Sequence, residues 1–228
     1  MGIVGVGHIA LFCGLVPWAA IRSRRRLEDT ASLPKKGTFF LMVLAQQAVL
    51  AGISLLVADR EWIPLFPKPR FGTAACLLAV ALFVTQGAIA LVRSKRRVAR
   101  RDPRLWMLTP RGVAEHGLWA AVSLAAGIGE EISYRGVLVV LLWRATGSFL
   151  AAAAIASVVF ALAHVAQGWA VVGIVVVYAL GFHALVWLSG SLYLAMLVHF
   201  AHDLWVGLWV SHLTAKSGWE PGTAAPAS

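Results

Sequence analysis

From residue 2 to residue 211 the chain is a succession of apolar stretches, most of them near the roughly 20 residues that a helix needs to cross a bilayer. Three come first, at 2–21, 38–58 and 73–92. A longer apolar region then divides into 112–130, 132–147, 149–166, 169–188 and 190–211. In lipid every backbone N–H and C=O must be paired within the protein, so such segments fold as helices. The expected fold is all-α: a polytopic transmembrane helix bundle of about eight spans. Segment 132–147, about 16 residues or roughly 24 Å of helix, is either a short span or re-entrant. Composition agrees. Of 228 residues 60% are hydrophobic and 13% charged, against about 45–50% and 25% in soluble domains. Cys13 and Cys76 stand far apart in apolar segments and read as packing residues, not as a metal or redox pair.

The net charge of +10 is concentrated. Arg22, Arg24, Arg25, Arg26, Lys35 and Lys36 lie in one loop. Arg93, Lys95, Arg96, Arg97, Arg100, Arg101, Arg104 and Arg111 lie in a second. Two basic loops between spans are topology signals for the cytoplasmic side, not a nucleic-acid surface. The N-terminus and the Pro-rich loop 59–72 are then outside. With eight spans both termini are extracytoplasmic.

Ionisable side chains inside a membrane cost several kcal/mol and point to function. Glu115 and His116 sit at a helix start, and Arg144 is long enough to snorkel to the cytoplasmic face. Three clusters remain. In Gly129-Glu130-Glu131-Ile132-Ser133-Tyr134-Arg135-Gly136, Glu131 and Arg135 are helix neighbours that neutralise each other. Glu130 points away without a local cation and is available for proton transfer. The second cluster is Phe160-x-x-x-His164, and the third is His199-x-x-x-Asp203, an imidazole one turn from a carboxylate. Together they supply a base and two imidazoles, enough to activate water and stabilise an oxyanion. His183 and His202 read as a helix–helix hydrogen-bonding group and a flanking residue. Structural glue alone is the plain alternative, but polar contacts between spans contribute well under ~1 kcal/mol each, too little to account for so many ionisable groups.

These three motifs, in this order, resemble the CAAX-protease and bacteriocin-processing (Abi) family of intramembrane endopeptidases. The resemblance covers about residues 112–212. Tyr134 stands where Phe is usual, and Asp203 where Asn or Asp stands; the chain has no Asn. The resemblance implies hydrolysis of a peptide bond in a membrane-associated protein or peptide. It makes Glu130 the base that activates water, His164 a water-orienting or proton-shuttling group, and His199 with Asp203 the oxyanion site. Glu131 and Arg135 hold the fold. No cofactor is favoured. Zinc held by Glu130, His164 and His199 is the alternative, although His-Glu-x-x-His is absent.

The expected organisation is three spans with basic loops in 1–111, the catalytic core in 112–212 and a disordered tail in 213–228. The expected location is a bacterial plasma membrane. Rival readings are a catalytically silent immunity or scaffold protein on the same fold, and a proton-coupled transporter. Helix 112–130 running outward carries Glu130 and Glu131 towards the outer face, and segment 132–147 returns the chain inward. That topology favours substrates among exported, membrane-anchored proteins.

Overall fold

The computed structural model describes residues 1–28 and 34–219. Residues 29–33 of the first basic loop and 220–228 of the expected tail lie outside the described residues. The described residues are helical, with no strand. The helices are α1 (Ile3–Ala10), α2 (Val16–Glu28), α3 (Lys36–Arg60), α4 (Thr73–Ala99), α5 (Gly112–Glu130), α6 (Val139–Thr146), α7 (Phe149–Ala163), α8 (Trp169–Ser189) and α9 (Tyr193–Ser217). Five segments are long and apolar enough to cross a membrane: Ile3–Arg24, α3, α4, α8 and α9. This is a multi-pass membrane protein.

Two junctions are continuous helix. A π-helical turn, Leu11–Leu15, joins α1 to α2 just ahead of Pro17, whose ring crowds the preceding turn and which has no N–H to donate. A π-helical stretch, Glu131–Leu138, joins α5 to α6. The chain therefore runs unbroken from Gly112 to Thr146, about 50 Å at the helical rise, and stops at Gly147 with φ of +70°.

This overturns the expected turn between 130 and 132. Segment 132–147 is neither a separate short span nor re-entrant; it is the second half of a long helix. The paired acids interrupt the apolar pattern inside the bundle, where Glu131 meets Arg135 and Glu130 accepts from Gln47.

With that junction straightened, the connections alternate between two ends. At one end Gly2 N–H donates to Glu61 at 2.7 Å, Arg144 meets Glu61 at 3.4 Å, and Arg70 N–H donates to the Ser189 carbonyl at 2.7 Å. At the other, Lys36 Nζ donates to the Thr109 carbonyl at 2.8 Å and Ser211 Oγ to the Pro110 carbonyl at 2.8 Å. The guanidinium of Arg24 lies over Trp169 there. This second end carries the basic loops and is called the basic end below. Arg144 is therefore at the end opposite to the one expected. The beginning of α1 and the end of α9 lie at opposite ends of the bundle, not on one side. The last helix also runs past the expected end at 211, to Ser217.

Close packing sets the depth of the functional residues. A methyl group on Gly127 would come within 2.8 Å of the Phe200 backbone nitrogen, and one on Gly207 would collide with the Trp119 indole. Only hydrogen at these positions lets α9 lie this close to α5, and that approach carries His199 to Glu131. The α8–α9 connection is sunk into the bundle: Ser189, Ser191 and Leu192 are buried, and Leu192 approaches Gly136.

Candidate active site

The paired acids lie where α5 passes into the π-helical stretch, a local widening often found at functional sites. Glu131 is fully buried. Its Oε1 accepts from Arg135 Nη1 at 3.2 Å and from His199 Nδ1 at 2.8 Å. The Arg135 guanidinium lies 4.2 Å over the Phe160 ring and 5.3 Å over the Phe182 ring. A planar cation between two phenyl faces is held by their quadrupoles as well as by the carboxylate. Phe160 thus serves the site as one wall of the arginine slot.

Glu130 is turned to other partners. Its Oε1 accepts from Gln47 Nε2 at 2.6 Å. Its Oε2 lies 4.0 Å from His164 Nε2 and 3.7 Å from His199 Nε2, and has no protein hydrogen-bond partner. Both separations are too long for a direct hydrogen bond. One water within hydrogen-bonding reach of Glu130 Oε2 and His164 Nε2 spans 4.0 Å at a near-right angle.

The ring nitrogens are fixed by their partners. His164 Nδ1 is 2.9 Å from the Phe160 carbonyl, which only accepts, so Nδ1 carries the hydrogen and Nε2 faces the site. His199 Nδ1 donates to Glu131 by the same reasoning, so its Nε2 faces Glu130 and Asp203. Asp203 Oδ2 is 3.6 Å from that Nε2. The carboxylate that orients His199 is therefore Glu131 on a neighbouring helix, not Asp203 one turn away.

The structure brings together Glu130, Glu131, Arg135, His164, His199 and Asp203. His202 also lines the cavity, with Nδ1 buried and unpartnered. His183 is buried in α8. Two residues were missed. Gln47 on α3 holds Glu130, and Gln86 on α4 lines the cavity with its Nε2 buried and without a partner. Amides amid apolar helices were a readable signal.

A cavity of about 340 Å³ carries this group at its inner part. Its wall continues along α4 and α9 to Arg93, Arg97, Met107 and Val210 near the basic end. Arg97 is held there by Asp102, which also accepts from Arg104 at 2.9 Å. Burial raises the Asp102 carboxyl, but the hydrogen bonds from Arg104 and the charge of Arg97 outweigh it and hold it below its ordinary value. The expected outward-facing site rested on segment 132–147 as a return span. With that segment part of a long helix, α7 instead carries His164 towards the basic end, and the cavity extends the same way.

Zinc held by Glu130, His164 and His199 would need these three side chains to meet on one ion. Among the described residues no group of three His, Cys, Asp or Glu converges closely enough to hold a metal ion.

Residues 113–205 match the family model described as type II CAAX prenyl endopeptidase Rce1-like. No curated protein and no solved structure matches the chain. The match covers the segment that carries all three motifs, and it agrees with the resemblance drawn from them.

Proposed function

We propose that this chain, of the CAAX-protease type in residues 113–205, hydrolyses a peptide bond of a membrane-associated substrate with water activated by Glu130. The observation that carries the reading is the division of labour between adjacent acids. Glu131 is consumed by Arg135 and His199, while Glu130 presents one unpartnered carboxylate oxygen to two imidazoles.

Water lies between Glu130 Oε2 and His164 Nε2. Glu130 takes its proton as the oxygen attacks the scissile carbonyl carbon. His199, held through Nδ1 by Glu131, turns Nε2 to the developing oxyanion and in its imidazolium form donates to it. Glu130 then returns the proton to the leaving amine nitrogen as the C–N bond breaks. Asp203 Oδ2 lies 3.6 Å from His199 Nε2, at the edge of the oxyanion site. Its carboxylate does not donate to the oxyanion, as an amide could.

The test is cleavage of a membrane-anchored peptide by reconstituted protein under excess chelator. Wild type is expected to cleave at an unchanged rate and Glu130→Ala not at all. Loss of wild-type activity that zinc alone restores would replace the metal-free reading with a metallopeptidase.

The approach is read as cytoplasmic, because the cavity runs to the basic end and basic loops stay inside. That favours substrates presented from the cytosolic side, of the CAAX prenyl kind named in the family's description, over exported proteins. Single cysteines at 101, 148 and 217, in a background lacking Cys13 and Cys76, report the orientation. Positions 101 and 217 should be labelled from the cytoplasm and position 148 from outside. The reverse pattern would turn the site outward.

A further inference from the structure

Glu130 and His164 border a second, smaller cavity. It has a volume of about 90 Å³ and lies between α2, α3, the π-helical stretch and the end of α7. Its polar lining is Gln46, Gln47, Glu130, Ser133, Tyr134 and His164. Phe12, Val16, Leu50 and Ala163 complete the wall. A cavity holds ordered water when it has at least about 10–15 Å³ of usable volume and two to four polar partners per molecule. This one exceeds both requirements, with room for a few molecules.

We infer that this small cavity holds the water consumed in the reaction and delivers it to Glu130 and His164, apart from the large cavity that takes the substrate. The inference rests on the hydrolytic reading above. Three observations carry it. Three residues line both cavities: Glu130 and His164, which flank the attacking position, and Gln47, which holds Glu130. The large cavity is lined mainly by apolar side chains, and a peptide filling it displaces water from that side. The polar side of the small cavity also continues into the bundle. Ser133 Oγ is 2.8 Å from Ser54 Oγ, which is 3.0 Å from His8 Nε2. His8 and Ser54 are buried, and His8 lies one turn from Gly5, whose N–H donates to Glu61 at the end opposite the basic loops. Polar groups therefore continue from Ser133 through Ser54 to His8, one turn from the residue bonded to Glu61 at that end.

Two measurements test the assignment. The first is pulsed hydroxyl-radical labelling of the reconstituted protein with mass spectrometry, which oxidises buried rings only where water touches them. Phe12 and Tyr134, which are 0% and 4% exposed, are expected to be oxidised at least about ten times faster, after correction for intrinsic side-chain reactivity, than Leu141, also 0% exposed and away from both cavities. Equal protection of all three means a dry cavity and overturns the inference. The second is kinetic. Val16→Phe fills the cavity from a wall remote from the chemistry, and Ser133→Ala keeps the volume but removes a polar partner. Val16→Phe is expected to lower kcat about ten-fold with KM unchanged, to abolish the fast labelling of Tyr134, and to leave substrate binding intact. Ser133→Ala is expected to lower kcat less, and it decides the matter if Val16→Phe does not fold. Wild-type kcat in a variant whose Tyr134 labelling is lost, or a rise in KM alone, overturns the inference. If wild type cleaves no peptide, the hydrolytic reading and the catalytic role of this water both fall. The labelling still reports separately whether the cavity is hydrated.

Discussion

Replacing Glu130 by glutamine is expected to lower turnover by about a thousand-fold or more while leaving the protein folded in the membrane. Positioned general bases contribute on the order of 10²–10⁴ in rate, and here the same group also returns the proton to the leaving nitrogen. The fold should survive for a local reason. The amide oxygen of a glutamine at 130 still accepts the hydrogen bond from Gln47 Nε2, now 2.6 Å from Glu130 Oε1. The other terminal atom faces two imidazoles and the cavity, where an amide is neutral and polar. The variant should therefore melt close to wild type and still bind substrate. Wild-type turnover in Glu130→Gln would remove Glu130 from the chemistry.

The neighbouring acid should behave in the opposite way. Arg135→Ala is expected to destabilise the protein by about 3–5 kcal/mol, because removing one partner of a buried pair strands the other charge. Among the described residues, fully buried Glu131 has no partner at Oε2, and the only other donor to its Oε1 is His199 Nδ1. The slot between Phe160 and Phe182 also empties. The double variant Glu131→Gln, Arg135→Met should recover much of the loss, since it removes both charges together and a thioether chain suits the slot between the rings. Thermal unfolding in detergent or bilayer measures both variants. Unchanged stability in Arg135→Ala, with activity lost, would make Arg135 a substrate-binding group.

The contrast between two adjacent glutamates was legible in the sequence because helical spacing pairs Glu131 with Arg135 and leaves Glu130 without a local cation. The rest of the site depended on contacts between helices far apart in the chain. Nothing in His199-x-x-x-Asp203 indicates that the imidazole is oriented by Glu131 across the bundle. That depends on the close approach of α9 to α5 at Gly127 and Gly207, where the sequence shows only two glycines among many. Gln47 lies 83 positions from the residue it holds, in the part of the chain outside the motifs. The fold class followed from the apolar stretches, but the path of the chain did not. Two acids and an arginine look like an interface when charge alone is counted. In the structure Glu131 and Arg135 neutralise each other inside the bundle, Glu130 faces the cavity, and the helix runs through all three. One missing turn reverses every later segment, which is why Arg144, His164 and the end of α9 lie at ends other than those expected.

We propose hydrolysis of a peptide bond at this site by water that Glu130 activates. Its most direct test is product mapping by mass spectrometry after reconstituted protein acts on a membrane-anchored peptide in ¹⁸O-labelled water under excess chelator. The account predicts a single cut, one ¹⁸O atom in the new C-terminal carboxylate, and no product from Glu130→Gln under the same conditions. Intact substrate with the wild type, or a product that forms equally with Glu130→Gln, would contradict it.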